Sequence, residues 1–149
     1  MPQTSELVKK RNMFSVKGFD WFDRVKYEFL RKGFSVKKDD SFKPETDFIE
    51  LSLGNFTEKS TGRTPTQAVT EKFNTTSMLA SALLTNQDQI PESWRCELIF
   101  PGTLWTHPSE PKYLAVTALK KEGEVWVADL INIDDLPISE DYRPVLYRL

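Results

Sequence analysis

Residues 112–132 read KYLAVTALKKEGEVWVADLIN, and this stretch decides the fold. Lys112–Lys120 and Glu124–Asn132 are apolar on both faces, with Tyr113, Leu114, Ala115 and Val116 in the first run and Val125, Trp126, Val127, Leu130 and Ile131 in the second. Short, nearly continuous apolar runs of this kind suit strands covered on both sides. Glu122-Gly123 between them fits a hairpin turn, because glycine accepts positive φ. Two central antiparallel strands are expected.

Upstream, Arg95–Phe100 alternates Cys96, Leu98 and Phe100 against Arg95, Glu97 and Ile99, and Pro101-Gly102 is expected to end that strand. Further upstream the period changes. On a helix over Asp20–Lys32, residues Trp21, Phe22, Val25 and Phe29 share one quarter of the circumference, and Gly33 follows as a C-cap. Phe34 and Val36 alternate with polar neighbours in a short strand. Asp47–Leu53 alternates again, with Ile49, Leu51 and Leu53 on one face. Thr64, Pro65 and Gln67 have the spacing of a helix N-terminus, whose buried stripe would be Val69, Phe73, Thr76, Ala80, Leu83 and Leu84. The poor helix formers Asn74–Ser77 are expected to split this helix, with Thr75 or Thr76 capping the second piece.

The expected fold is thus a single α+β domain of order α-β-β-α-β-β-β, with a largely antiparallel sheet and two main helices packed on one face. Residues 1–13 form a basic arm, 14–132 the globular domain, and 133–149 an acidic extension containing Pro137 and Pro144. The expected core unites Phe22, Val25, Phe29, Phe73, Leu83, Leu98, Val116 and Trp126.

Charge is divided along the chain. Residues 1–38 hold ten basic and four acidic side chains, a balance of +6, so the rest carries −8 within the net −2; residues 122–142 contain seven acids and no Lys or Arg. Such asymmetry governs steering and association. At 149 residues the chain is long enough to bury a core unaided, and its single cysteine, Cys96, excludes an internal disulfide or a zinc cluster. No apolar run is long enough to cross a membrane, so a cytoplasmic protein without a membrane partner is expected.

Catalytic signals are sparse. There is no G-x-G-x-x-G and no G-x-x-x-x-G-K-[ST]. His107 lies in a proline-constrained loop with Ser109 and Glu110, where neighbours so close in sequence rarely converge on one reacting atom. Cys96 occupies an inward strand position, as a small apolar residue would. Ser35-Val-Lys-Lys38 matches S-x-x-K without the companion K-T-G. Asp40, Asp47 and Glu50 are candidate catalytic acids, with Asp47 and Glu50 as Mg²⁺ ligands, because paired carboxylates suit a hard cation with phosphate substrates. The order of a basic helix followed by acids is loosely similar to that of restriction-type nucleases, whose pattern requires Lys two residues past the second acid; Ser52 stands there.

The leading expectation is therefore a non-catalytic interaction domain with no cofactor, binding a protein partner or a second copy of itself. Its binding residues would be Lys9, Lys10, Arg11, Arg24, Arg31, Lys37 and Lys38. Nucleic acid is the alternative partner, with the same cations on phosphates.

Overall fold

The computed structural model describes residues 13–39, 44, 46–55, 75–133 and 141–147. Among these residues seven strands form one sheet and two helices pack against it, a mixed α+β fold. In chain order these are β1 (Met13–Ser15), α1 (Arg24–Arg31), β2 (Ser35–Asp39), β3 (Phe48–Leu53), α2 (Ser77–Thr85), β4 (Glu97–His107), β5 (Glu110–Glu122), β6 (Val125–Asn132) and β7 (Tyr142–Tyr147). The spatial order is β1-β3-β7-β4-β5-β6, and β2 pairs with β4. No helix among the described residues is long and apolar enough to cross a membrane.

β5 and β6 pair antiparallel as the sequence implied, but only β5 is a central strand: β6 ends the strand order, and all but one of its residues are half-buried or exposed. Glu122 pairs with Val125, leaving Gly123-Glu124 as the two-residue turn, and Gly123 at φ 63° supplies the positive φ that a hairpin of this length needs at its first position. Ala115, Val116, Thr117, Ala118 and Leu119 are all buried, because β5 has core on both faces. Leu98, Phe100, Ala115 and Leu119 belong to the main core under the helices, whereas Ile99, Val116 and Ala118 form a smaller cluster on the other face. Val116 is therefore buried apart from Val25, Phe29, Leu83, Leu98 and Trp126, with which the sequence grouped it. Phe73 lies outside the described residues.

Pro101-Gly102 does not end β4. The strand bends there and continues, with a shifted register between Phe100 and Leu104. Five positions apart, Phe100 and Trp105 would face opposite ways in a regular strand; the irregularity places both rings in one core. The first half of β4 (Glu97–Ile99) pairs in parallel with β7, and the second half (Thr103–Thr106) pairs antiparallel with β2. At the bend the Gly102 amide donates to the Thr75 carbonyl at 2.6 Å, and a Cβ on Gly102 would meet that same oxygen at 2.6 Å. Only glycine permits the approach. Thr76 occupies the N-cap position of α2, one of the two positions expected, but its side chain makes no capping hydrogen bond, and Ser77 N donates instead to Thr103 Oγ1 at 2.9 Å; residues 64–74, where the sequence predicts the preceding helix, lie outside the described region.

Two further expectations fail. Residues 142–147 are not an extension: β7 is inserted between β3 and β4. Its proline is accommodated by a local substitution of donors. Pro144 lies opposite Gly54, one step beyond the Leu53–Val145 pair, and accepts from the Gly54 amide at 2.8 Å, but it has no N–H to return; the Arg143 side chain donates to the Gly54 carbonyl instead, Nε to O 2.9 Å. The second failure concerns α1, which begins at Arg24. Asp23 caps it, and Trp21 adopts φ 56°, in the left-handed region. That turn takes Phe22 off the helical wheel, so it is 48% exposed where burial was expected, while Val25 and Phe29 are buried as expected.

The two outer strands are bridged by the 3-10 turn Gln87–Gln89. The Gln89 amide accepts from Ser15 N at 2.7 Å and donates to Ser15 O at 3.1 Å; the Gln87 amide does the same for Trp126, at 2.9 and 3.1 Å. Each side chain thus imitates one rung of a neighbouring strand. One short turn ties β1 to β6 around the main core.

Candidate functional site

The exposed side of α1 gathers aromatic and cationic side chains. Asp20 organises its start: one carboxylate oxygen accepts from Phe22 N at 3.1 Å, and the group receives both Arg24 terminal nitrogens at 3.2 and 2.9 Å. Those charge-assisted bonds hold the Asp20 carboxyl below its usual range and the Arg24 guanidinium above its own. Arg24 in turn lies 5.4 Å from the Phe22 ring centre, Phe22 lies 5.8 Å from Tyr27, and Arg31 lies 5.8 Å from Tyr27. Tyr27 is 49% exposed and Leu30 46%. The result is a surface row of guanidinium, ring, ring and guanidinium, made by local spacing alone: i,i+4 steps place Tyr27 beside Arg31.

The expected cations are only partly united. Arg24 and Arg31 share this face, each with a carboxylate, since Arg31 stands 3.6 Å from Glu28. Lys37 and Lys38 are exposed on β2, which is tied to α1 by the Lys26–Asp39 ion pair at 2.8 Å. Lys9, Lys10 and Arg11 lie outside the described residues. Of the carboxylates, Asp40 also lies outside. Asp47 is exposed in the bend before β3, and Glu50 projects from the face opposite buried Ile49 and Leu51. Among the described residues no three His, Cys, Asp or Glu side chains converge to hold a metal ion. His107 ends β4, with Nδ1 accepting from Ser109 N at 3.2 Å and 2.6 Å from Ser109 Oγ, and its ring stands edge-on to Phe34. Ser109 and His107 do meet, but within one hairpin turn and with no carboxylate bonded to the ring among the described residues.

A second feature was not legible in sequence. A groove of about 950 Å³ opens between Gln87–Glu97 and the β5–β6 hairpin. Trp94 and Trp126 line it, together with five carboxylates (Asp88, Glu92, Glu97, Glu124, Asp141) and three cations (Arg95, Lys120, Lys121). Lys120 is already shared between Glu122 at 3.3 Å and Asp129 at 3.4 Å, which raises its pKa. Burial raises the Glu97 carboxyl; Lys120 and the Tyr142 hydroxyl pull it back, while Asp129 pushes it further up. Tyr142 is raised in turn, chiefly by the Glu97 charge. Cys96 lines the same groove, where burial pushes its thiol up and away from thiolate chemistry. The lining comes from Gln87–Glu97, the β5–β6 hairpin and Asp141, separated in the chain, and the local hint was the acidic run 122–142.

Glu97 sets a pH dependence. Its folded pKa is raised above the unfolded one, so its contribution to stability is complete below the unfolded value and is lost as pH rises through the folded value. At neutral pH the ionised group therefore works against folding. Glu97→Gln should be more stable than the parent in urea at neutral pH, with the difference shrinking toward acid. A variant less stable than the parent at neutral pH would refute this.

No family model matches the chain, and neither any curated protein nor any solved structure matches it.

Proposed function

We propose that this is a non-catalytic interaction domain that binds an acidic segment of a protein partner on the exposed face of α1. The observation that carries the reading is the Phe22–Tyr27 ring pair, half exposed and flanked by Arg24 and Arg31. Aromatic residues and arginine are the side chains that most often dominate binding energy, since they bury large rigid areas at small entropic cost. Here the rings are already held against one another before any partner arrives. Arg24 and Arg31 give up shared carboxylates only to a better acceptor, and Lys37 and Lys38, with Lys9, Lys10 and Arg11, add the long-range attraction that speeds encounter. The pairing of both arginines with acids favours a protein over a phosphate backbone, which needs a ladder of uncompensated cations. The single cysteine suits a cytoplasmic setting.

The test is paired affinity capture from the native host with the parent and with a Phe22→Ala, Tyr27→Ala double variant. Deleting two hot-spot rings, each worth at least about 2 kcal/mol, should lower affinity at least thirtyfold per ring while leaving thermal stability nearly unchanged, because both are surface side chains. Retention of every captured protein by the double variant would overturn the reading. Fluorescence anisotropy with single- and double-stranded oligonucleotides separates the alternative: tight binding whose log K falls linearly with log salt would assign the face to nucleic acid.

A further inference from the structure

We propose that Gln87 and Asp129 guard the outer edge of β6 against pairing with the β6 of a second copy. β6 ends the strand order, and among the described residues only β5 pairs with it. The hairpin fixes which backbone groups face outward. Glu122 and Val125 close a two-residue turn, so Val125, Val127, Asp129 and Ile131 bond to β5, while Trp126, Ala128 and Leu130 turn their N–H and C=O groups away from it. Two side chains occupy groups of that outward set. Gln87 accepts from Trp126 N at 2.9 Å and donates to Trp126 O at 3.1 Å, and Asp129 Oδ1 accepts from Leu130 N at 2.8 Å. The second Asp129 oxygen lies 3.4 Å from Lys120 Nζ, which steadies the carboxylate in this position.

Without these contacts the edge would be a template for itself. Val125–Ile131 reads VWVADLI, apolar but for Asp129 and free of proline, a composition that makes an uncovered edge associate. An antiparallel second copy centred on Ala128 sets Trp126 opposite Leu130 and Ala128 opposite Ala128, so that both members of each pair turn their groups toward the other strand. In that register Val125, 54% exposed, meets Ile131, and Asp129 meets Val127 rather than another acid. The two-fold relation is what makes the guards effective. With both Trp126 groups and the Leu130 N–H occupied, the Trp126–Leu130 pairs on either side of the axis lose their bonds, and the Ala128 pair alone is left. One such pair does not offset the ~4–15 kcal/mol lost with translational and rotational freedom on association. The same turn closes the other end of the sheet in the same way, since Gln89 takes the N–H and C=O of Ser15 on β1.

Sedimentation velocity over a range of micromolar concentrations tests the guards. A Gln87→Ala, Asp129→Ala double variant should show a weight-average mass that rises with concentration toward that of a dimer, over a range in which the parent's mass does not change. Adding Ala128→Pro should abolish the rise, because the Ala128 N–H faces outward and its loss leaves the ladder to β5 whole. Amide hydrogen exchange on the parent, followed residue by residue, gives a second reading that does not depend on the variants folding. There Ala128 should exchange at least about tenfold faster than Trp126 and Leu130, whose N–H groups are bonded to side chains. A folded double variant whose mass does not rise, a dimer that survives Ala128→Pro, or an Ala128 amide in the parent as slow as those of Trp126 and Leu130 would each overturn the proposal.

Discussion

Trp105→Ala is expected to cost about 5 kcal/mol, at or above the top of the usual range of 3–5 for removing a buried indole. Trp105 has no exposed surface and stands on the second half of β4, where the bend at Gly102 aims it into the main core. Its ring meets Phe29 edge-on at 5.5 Å, linking the sheet to α1, and its Nε1 donates to Thr117 Oγ1 at 2.9 Å. Thr117 is itself fully buried, so truncation leaves a hydroxyl without its donor, a further cost of about 1–3 kcal/mol. Against a typical total of about 5–15 kcal/mol, this single change approaches complete unfolding. Reversible urea denaturation checks it. Trp105→Phe, which keeps most of the apolar volume, should lose much less, and a loss under about 2 kcal/mol for the alanine variant would show that the packing around β4 is wrong.

Asp23→Ala is expected to cost about 3–5 kcal/mol through a different mechanism. The buried Asp23 carboxylate accepts from Lys26 N at 3.0 Å as the N-cap of α1, and from Ser81 Oγ at 2.7 Å and Ser77 Oγ at 2.5 Å on α2. Ser81 Oγ also accepts from Val25 N at 3.1 Å, so the two helices share one polar joint. The joint continues into the sheet, where Thr103 Oγ1 accepts from Ser77 N and donates to Asp39, the partner of Lys26. Removing the carboxylate takes away a cap, worth about 0.5–2 kcal/mol, and strands two buried hydroxyls at about 1–3 kcal/mol each. A double-mutant cycle with Ser77→Ala should return a coupling of about 1 kcal/mol or more, and additive losses would mean the joint does not exist.

How far the sequence could be read follows from which features are local. The β5–β6 hairpin, the start of α2 after Thr76 and the buried side of α1 at Val25 and Phe29 depend on patterns within a few residues, and they were legible. The continuation of β4 past Pro101-Gly102 was not, because it depends on the Thr75 carbonyl meeting Gly102 from a distant part of the chain. Pro144 argues against a strand by sequence, and the donor it lacks is supplied to Gly54 by the Arg143 side chain, a contact 89 residues away in the chain. A helical wheel begun at Asp20 puts Phe22 in the core; the left-handed turn at Trp21 moves it to the surface beside Tyr27. Arg24 and Arg31 were recognised as binding candidates by charge, but their ring partners were not. The acidic groove joins the segment Gln87–Glu97 to the β5–β6 hairpin and to Asp141, which no local pattern connects.

The exposed large apolar side chains among the described residues are Phe22, Tyr27, Leu30, Phe48 and Val125, and they provide the most direct test of the proposed surface. Hydroxyl-radical footprinting should be run on the isolated protein and on the complex recovered by affinity capture, with oxidation at each of the five read by mass spectrometry. Phe22, Tyr27 and Leu30 should be protected several-fold in the complex while Phe48 and Val125 oxidise as in the free protein. Protection of Phe48 or Val125 with Phe22 and Tyr27 unchanged would contradict the assignment of the binding face to α1.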